Sequence, residues 1–287
     1  MVPEEVTEEI SKEQAAALLR WYVEMGVDEA IAPMPTNFFE NPGSSPETTI
    51  DSSPEPARER PTSRDFQPPN AQPSVAVSAE DAPIPADEAI ALAKKIAAQS
   101  TTLDALTATI SDFDGCPLKS GARNTVFTDG VMHADLLIIG EAPGRDEDRV
   151  GKPFVGRAGQ LLDKMLASIG RSRENDTLIT NSVFWRPPGN RAPTEIESAI
   201  CRPFLDRLIE LCEPRVIVLA GGAPLKAIFG VSGIMRARGT WRDLKIGEHP
   251  PIPTLPIFHP AFLLRQPDQK RLAWHDLLAV KARLTED

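Results

Sequence analysis

Three cysteines in 287 residues are too few for a disulfide framework, and an odd count leaves at least one thiol unpaired in any scheme. No apolar run approaches the roughly 18–20 residues needed to cross a bilayer. The opening Met1-Val2-Pro3-Glu4-Glu5 has neither a basic n-region nor an apolar signal core. The expectation is a reduced, cytoplasmic, monomeric protein with no membrane partner. Positive charge is also scarce, with a formal net charge of −10 and a pI near 5.0. Taken whole, that balance argues against nucleic acid, because phosphate binding runs on Lys and Arg. The deficit is local, however. Residues 1–100 hold 7 Lys+Arg against 18 Asp+Glu, whereas residues 101–287 hold 24 against 23. The C-terminal part is thus near neutral and permits a DNA-facing surface.

Proline marks the same seam, with twelve of the 28 lying between Pro33 and Pro85. Before it, residues 1–31 contain a predicted amphipathic helix over Ser11–Ile31. Ser11 stands as N-cap with Gln14 three residues on, and Leu18, Tyr22 and Met25 recur at near-helical spacing beside Trp21. Residues 32–86 are rich in Pro, Ser, Glu and Asn and poor in large hydrophobes. Such a stretch buries too little apolar area to offset its ordering entropy, which predicts a disordered linker. A lone amphipathic helix is marginal in water. Two readings stay open for it: folding back on its own domain, or docking to another protein as an adaptor.

Residues 87–287 read as the main domain. A helix is predicted from Ala86 to about Ile110. Beyond it, apolar runs alternate with helical patterns. Strands are expected at Asp135–Gly140, Thr177–Phe184, Arg215–Ala220 and Thr254–Phe258, and helices at Ala158–Ile169, Glu195–Leu211, Ala223–Phe229 and Gln269–Leu284. That alternation implies a three-layer α/β/α sandwich around a central, mainly parallel four-stranded sheet. Ligands bind such folds beyond the carboxyl ends of the strands, and the motifs below follow those ends.

The first strand runs into Gly140-Glu141-Ala142-Pro143-Gly144-Arg145-Asp146-Glu147-Asp148. Small residues there let backbone approach a flat ligand, and Glu141 and Glu147 put two carboxylates into one loop. Gly151-Lys152-Pro153-Phe154-Val155-Gly156-Arg157-Ala158-Gly159-Gln160 follows. A Gly-rich loop at a helix start can also cradle phosphate, but it lacks the Gly-Lys-Ser/Thr ending and the Gly-x-Gly-x-x-Gly fingerprint of nucleotide cofactor sites. Asn181, within Thr180-Asn181-Ser182, offers a donor and an acceptor to a base edge, unless it only forms a turn. Arg186-Pro187-Pro188-Gly189-Asn190-Arg191 comes next. The last strand ends in His259-Pro260, followed by Leu263-Leu264-Arg265. Those leucines fit either core burial or insertion into a base stack.

In this order, over roughly Phe113 to Leu284, the motifs resemble family-four uracil-DNA glycosylases. The resemblance implies an enzyme that takes single- or double-stranded uracil-containing DNA and flips the nucleotide into a pocket. It cleaves the N-glycosidic bond and leaves an abasic site for base-excision repair. Phe154 matches the aromatic that stacks on uracil, and Asn181 the residue that reads its edge. Backbone at Gly140, Glu141 and Ala142 would contact the base. His259 would stabilise the departing uracil anion. Glu141 and Glu147 would orient water and support the cationic sugar, the division between them being open. Asn190 and Arg191 would shape the site and hold phosphate, while Leu263, Leu264 and Arg265 resemble the intercalating loop.

The resemblance also implies a four-iron, four-sulfur cluster on four cysteines, and here the pattern departs. Phe113 and Trp185 stand at two ligand positions, leaving Cys116 and Cys201. Two thiolates do not supply the four such a cluster needs, so no cofactor is expected. Cys212 matches no ligand position. The alternative function is a non-catalytic or crosslinking uracil-DNA-binding protein of the same superfamily. That branch carries Gln at the place of Ala142 and a basic, His-containing insertion after the Asn strand, and neither feature is in this sequence.

Overall fold

Each of the four expected strand segments becomes a buried strand because backbone groups inside a core must pair with one another. The computed structural model describes residues 85–286; the Ser11–Ile31 helix and nearly all of the 32–86 linker lie outside them. The sheet contains β1 (Thr128–Gly130), β2 (Leu136–Gly140), β3 (Thr177–Asn181), β4 (Val216–Ala220), β5 (Arg242–Leu244) and β6 (Ile252–Ile257). Their spatial order is β1-β3-β2-β4-β6-β5. The middle four strands are parallel, while β1 pairs antiparallel with β3 and β5 antiparallel with β6. The sheet is therefore six-stranded, and the expectation of four strands missed both edges. Each edge strand has three residues, among them Asp129, Gly130, Arg242 and Asp243, too few and too polar to show an apolar period.

Successive residues on a strand face opposite ways, and that alternation divides the interior in two. Leu137, Ile139, Leu178, Ile217 and Leu219 face one core. It is covered by α1 (Ala86–Gln99), α2 (Leu103–Asp112), α5 (Glu195–Cys212) and α6 (Gly222–Phe229). Leu136, Ile138, Ile179, Val216, Val218, Leu255 and Ile257 face the other, under α4 (Arg157–Ser168) and α9 (Lys270–Thr285). The result is the expected helix–sheet–helix sandwich. The short α3 (Arg145–Val150), α7 (Ile234–Ala237) and α8 (Pro260–Arg265) lie in the connections. No described helix is long and apolar enough to cross a membrane.

The single helix expected from Ala86 to Ile110 is two. The chain breaks at Ser100-Thr101-Thr102, and Thr102 N-caps α2 by accepting a hydrogen bond from Ala105 N at 3.2 Å. Ser and Thr compete for backbone groups in this way, which makes them caps rather than helix interior. β3 also stops at Asn181, short of the expected Phe184. The chain turns there, with Ser182 N donating to Gly140 O and Val183 N to Glu141 O.

Candidate active site

Gly140 and Asn181 are the last partners in the β2–β3 ladder, side by side at the carboxyl edge of the sheet. The Asn181 side chain is 2% exposed, and its Nδ2 has no hydrogen-bond partner among the described residues. A buried donor left unpaired costs about 1–3 kcal/mol, a cost that a ligand edge would remove. Phe154 lies beside it, its ring stacked on the His259 imidazole at 5.6 Å between centroids and 29° between planes. Two glycines make this meeting possible. A Cβ on Gly140 would fall 2.4 Å from Asn181 Oδ1 and 2.5 Å from the Phe154 ring, and one on Gly159 would fall 1.8 Å from the Phe154 carbonyl oxygen.

Phe154 has a left-handed φ of +53°, a conformation costing of order 1–3 kcal/mol for a non-glycine residue. Arg173 holds it there. Its guanidinium donates to the carbonyls of Pro153 at 3.1 Å and Phe154 at 2.8 Å, while pairing with Asp129 at 2.9 Å and Asp163 at 2.8 Å. Sequence reading did not find Arg173. It stands outside the recognised motifs, and its partners come from three separate segments.

The two carboxylates of the first loop differ in their surroundings. Glu147 Oε1 accepts from Val155 N at 3.0 Å and Gly156 N at 2.8 Å, and Oε2 from Gly144 N at 3.1 Å. This carboxylate therefore ties together the two turns that flank Phe154. Glu141 lines the cleft, and burial raises its pKa above the ordinary carboxylate value, with no partner offsetting the rise.

His259 N-caps α8, its Nδ1 accepting from Ala261 N at 3.1 Å. That bond occupies the Nδ1 lone pair, so the proton of the neutral ring sits on Nε2. Burial first, and the Arg265 cation second, push His259 down to about 4 against the opposing pull of Glu147. The ring is thus neutral near pH 7. Gly221, at φ +109°, runs beneath it; a Cβ there would come 3.1 Å from His259 Cβ.

A cleft of ≈530 Å³ brings together Glu141, Ala142, Glu147, Phe154, Asn181, Asn190, Arg191, His259 and Arg265. Gly140 lies against Phe154 and Asn181. Asn190, at φ +55°, accepts from Arg186 Nε at 2.7 Å through Oδ1. The expected intercalating loop is instead the short helix α8, and it separates the two leucines. Leu263 is 1% exposed and packs into the α4–α9 core, whereas Leu264 is 39% exposed. Leu263 is therefore core and not surface, since adjacent helical residues point about 100° apart.

The four positions implied for an iron–sulfur cluster do not fit one. Cys116 and Cys201 are both buried free thiols; the neighbouring Cys201 thiol lowers the Cys116 pKa, while burial raises that of Cys201. Phe113 and Trp185 are 3% and 1% exposed. Phe113 packs edge-on against Phe204 at 5.1 Å, with its ring where a Cβ on Gly115 would fall at 2.4 Å. Trp185 donates from Nε1 to Thr125 Oγ1 at 3.0 Å. Two rings therefore stand where two thiolates would be needed. Burial pushes the Cys212 thiol up to about 12.

The family profile of the uracil DNA glycosylase superfamily matches residues 127–278, the stretch that carries the sheet and the cleft. The chain is 38% identical over 178 residues to a type-4 uracil-DNA glycosylase of Thermotoga maritima, covering 60% of this chain and 89% of the relative. Its identity to the type-4 enzyme of Archaeoglobus fulgidus is 40% over 172 residues, 58% of this chain and 85% of that one. With the type-4 enzyme of Saccharolobus solfataricus it shares 36% over 189 residues, 64% and 87% of the two chains. From its residues, its fold and these matches, the chain belongs to the uracil DNA glycosylase superfamily.

Proposed function

We propose that this protein flips deoxyuridine out of DNA and hydrolyses its N-glycosidic bond, releasing uracil and leaving an abasic site in base-excision repair. The observation that carries the reading is the buried, unpartnered amide of Asn181 beside the Phe154 ring. A flat base with adjacent acceptor and donor groups, as uracil has at O4 and N3–H, satisfies that amide while its face lies on the ring. A base with the opposite polarity leaves buried groups unpaired, which is where large discrimination comes from. The target atom is inaccessible inside a duplex, so the nucleotide must leave the stack. Leu264 is the exposed apolar group suited to fill the gap. Arg191 and Arg265 are the cleft cations suited to backbone phosphate.

The bond breaks with its electron pair leaving on uracil and positive charge developing on the sugar. Neutral His259, with its proton on Nε2, donates a hydrogen bond to the leaving base. The different surroundings of the two carboxylates support a division of labour. Glu147 is committed to three backbone N–H groups and acts by holding the Phe154 turns. Glu141 remains to orient the attacking water and accept its proton. Replacing Glu141 by Gln should lower the rate by about 10²–10⁴-fold, and Asn181→Ala should lose most activity, both with circular dichroism unchanged. Wild-type rates in both variants would remove these assignments.

The chemistry requires no redox group, and the donor set around Cys116 does not fit a cluster. The reading is therefore an enzyme without one, in which Phe113 and Trp185 support the fold as apolar core. Anaerobically purified protein should lack stoichiometric iron and the absorption near roughly 400 nm that iron–sulfur centres give. Finding both would overturn this part of the account.

A further inference from the structure

Arg191 is fixed in place by a residue outside the motifs, Glu197. The carboxylate is 5% exposed and sits in the first turn of α5. Arg191 meets it end-on, Nη1 donating to Oε2 at 2.9 Å and Nη2 to Oε1 at 2.6 Å. Glu197 Oε2 also accepts from Thr194 N at 2.7 Å, and Thr194 Oγ1 accepts from Glu197 N at 3.2 Å. This reciprocal capping box fixes the carboxylate on the helix. The other Nη1 proton goes to Ala192 O at 3.0 Å. A guanidinium has five N–H groups in a rigid plane, so three are occupied. The remaining two, on Nε and on the neighbouring side of Nη2, point the same way and form a parallel fork. Arg191 is 44% exposed along its side chain and lines the cleft.

We infer that Glu197 is a positioning residue, holding Arg191 so that its free Nε–Nη2 edge grips a backbone phosphate of the flipped nucleotide. The inference rests on the uracil-DNA reading above. It explains why a surface arginine pairs with a nearly buried carboxylate. Exposed ion pairs contribute little to stability, but a fixed fork binds phosphate in one orientation. The chain approaches this arginine through Gly189 and Asn190, both at positive φ, a strained value only for Asn190. The loop is fastened to α5 through the Arg191–Glu197 pair.

The test uses the full chain and a single-uracil oligonucleotide, with a non-cleavable 2′-fluoro analogue for binding. In Glu197→Gln the capping box survives, since Gln serves at that position, so the fold is retained and unfolding midpoints should stay close to wild type. We expect its affinity for the analogue to fall about tenfold and its KM to rise similarly, with kcat within about twofold of wild type, the pattern of lost uniform binding. Its slope of log K against log salt should stay close to wild type, because Arg191 keeps its charge. Arg191→Ala should lose affinity similarly and make that slope shallower by about 0.7–0.9, the contribution of one phosphate contact, and the double variant should lose no more affinity than Arg191→Ala alone. Arg191→Lys should keep the salt slope but not the affinity, a point charge replacing the fork. Wild-type affinity in Glu197→Gln, or independent, additive losses in the double variant, would overturn the inference. Failure of the uracil reading itself looks different, because the wild-type protein would then cleave no uracil oligonucleotide at all.

Discussion

Gly140 has no side chain, and the cleft depends on that absence. A methyl group there meets both the reading amide and the stacking ring, so Gly140→Ala should lower kcat/KM by about 10²-fold or more through misplacement of Phe154 and Asn181. Stability should fall as well, by about 1–3 kcal/mol for overpacking a buried site; a fully active Gly140→Ala would contradict the assigned geometry. The titrating groups give two further expectations. Glu141 must be ionised to accept a proton from water, and burial raises its pKa. The acid limb of the pH–rate profile should therefore lie above the ordinary carboxylate value, and Glu141→Gln should remove it. His259 behaves oppositely, its folded pKa being depressed to about 4. The unfolded chain takes up that proton below about 6.5 while the folded chain does not, so its contribution to stability is present above pH 6.5 and is lost as pH falls toward 4. Denaturant midpoints of wild type and His259→Asn, compared at pH 7.5 and 5, should show the smaller loss in the variant.

At the scale of elements, Glu147 reaches from α3 across to the turn before α4 and ties Gly144 to Val155 and Gly156. Glu147→Gln keeps the shape but loses the charge that three N–H groups face. It should cost about 1–3 kcal/mol of stability and lower activity through the Phe154 turn, measurable as loss of both unfolding midpoint and kcat/KM. The same scale shows what was legible beforehand. β2 and β4 stand out in the sequence as continuous apolar runs ending at a turn signal, and β3 and β6 as shorter apolar stretches broken by Thr or Pro; Asn181 ends β3 and His259 follows β6. β1 and β5 do not, because three residues, most of them polar, carry no period. The break between α1 and α2 lay in Ser100-Thr101-Thr102, whose capping chemistry competes with an otherwise helical pattern. Leu263 and Leu264 are neighbours with the same side chain, and only the helical geometry of α8 decides which is core. Arg173 gains its meaning from partners on three separate segments, a relation that local spacing does not carry, whereas Glu197 stands in a Thr-x-x-Glu capping pattern and only its grip on Arg191 needed the fold.

For the whole molecule, the excess negative charge and most of a proline-rich stretch lie in residues 1–84, and the remainder is near neutral. Among the described residues, the cleft is lined by segments between Glu141 and Arg265. Deleting residues 1–84 should leave uracil excision within about twofold of the full chain; an adaptor role would appear as a lost interaction without lost activity. The charge balance of the remainder permits DNA without forcing it, which leaves recognition to the few cations at the cleft and to Asn181. The most direct measurement is release of free uracil from oligonucleotides carrying one deoxyuridine, single-stranded and opposite G or A, with matched deoxycytidine strands alongside. The account predicts uracil and an abasic site from at least one deoxyuridine strand and no base released from deoxycytidine. No release from any of them, where a control glycosylase succeeds, would contradict it.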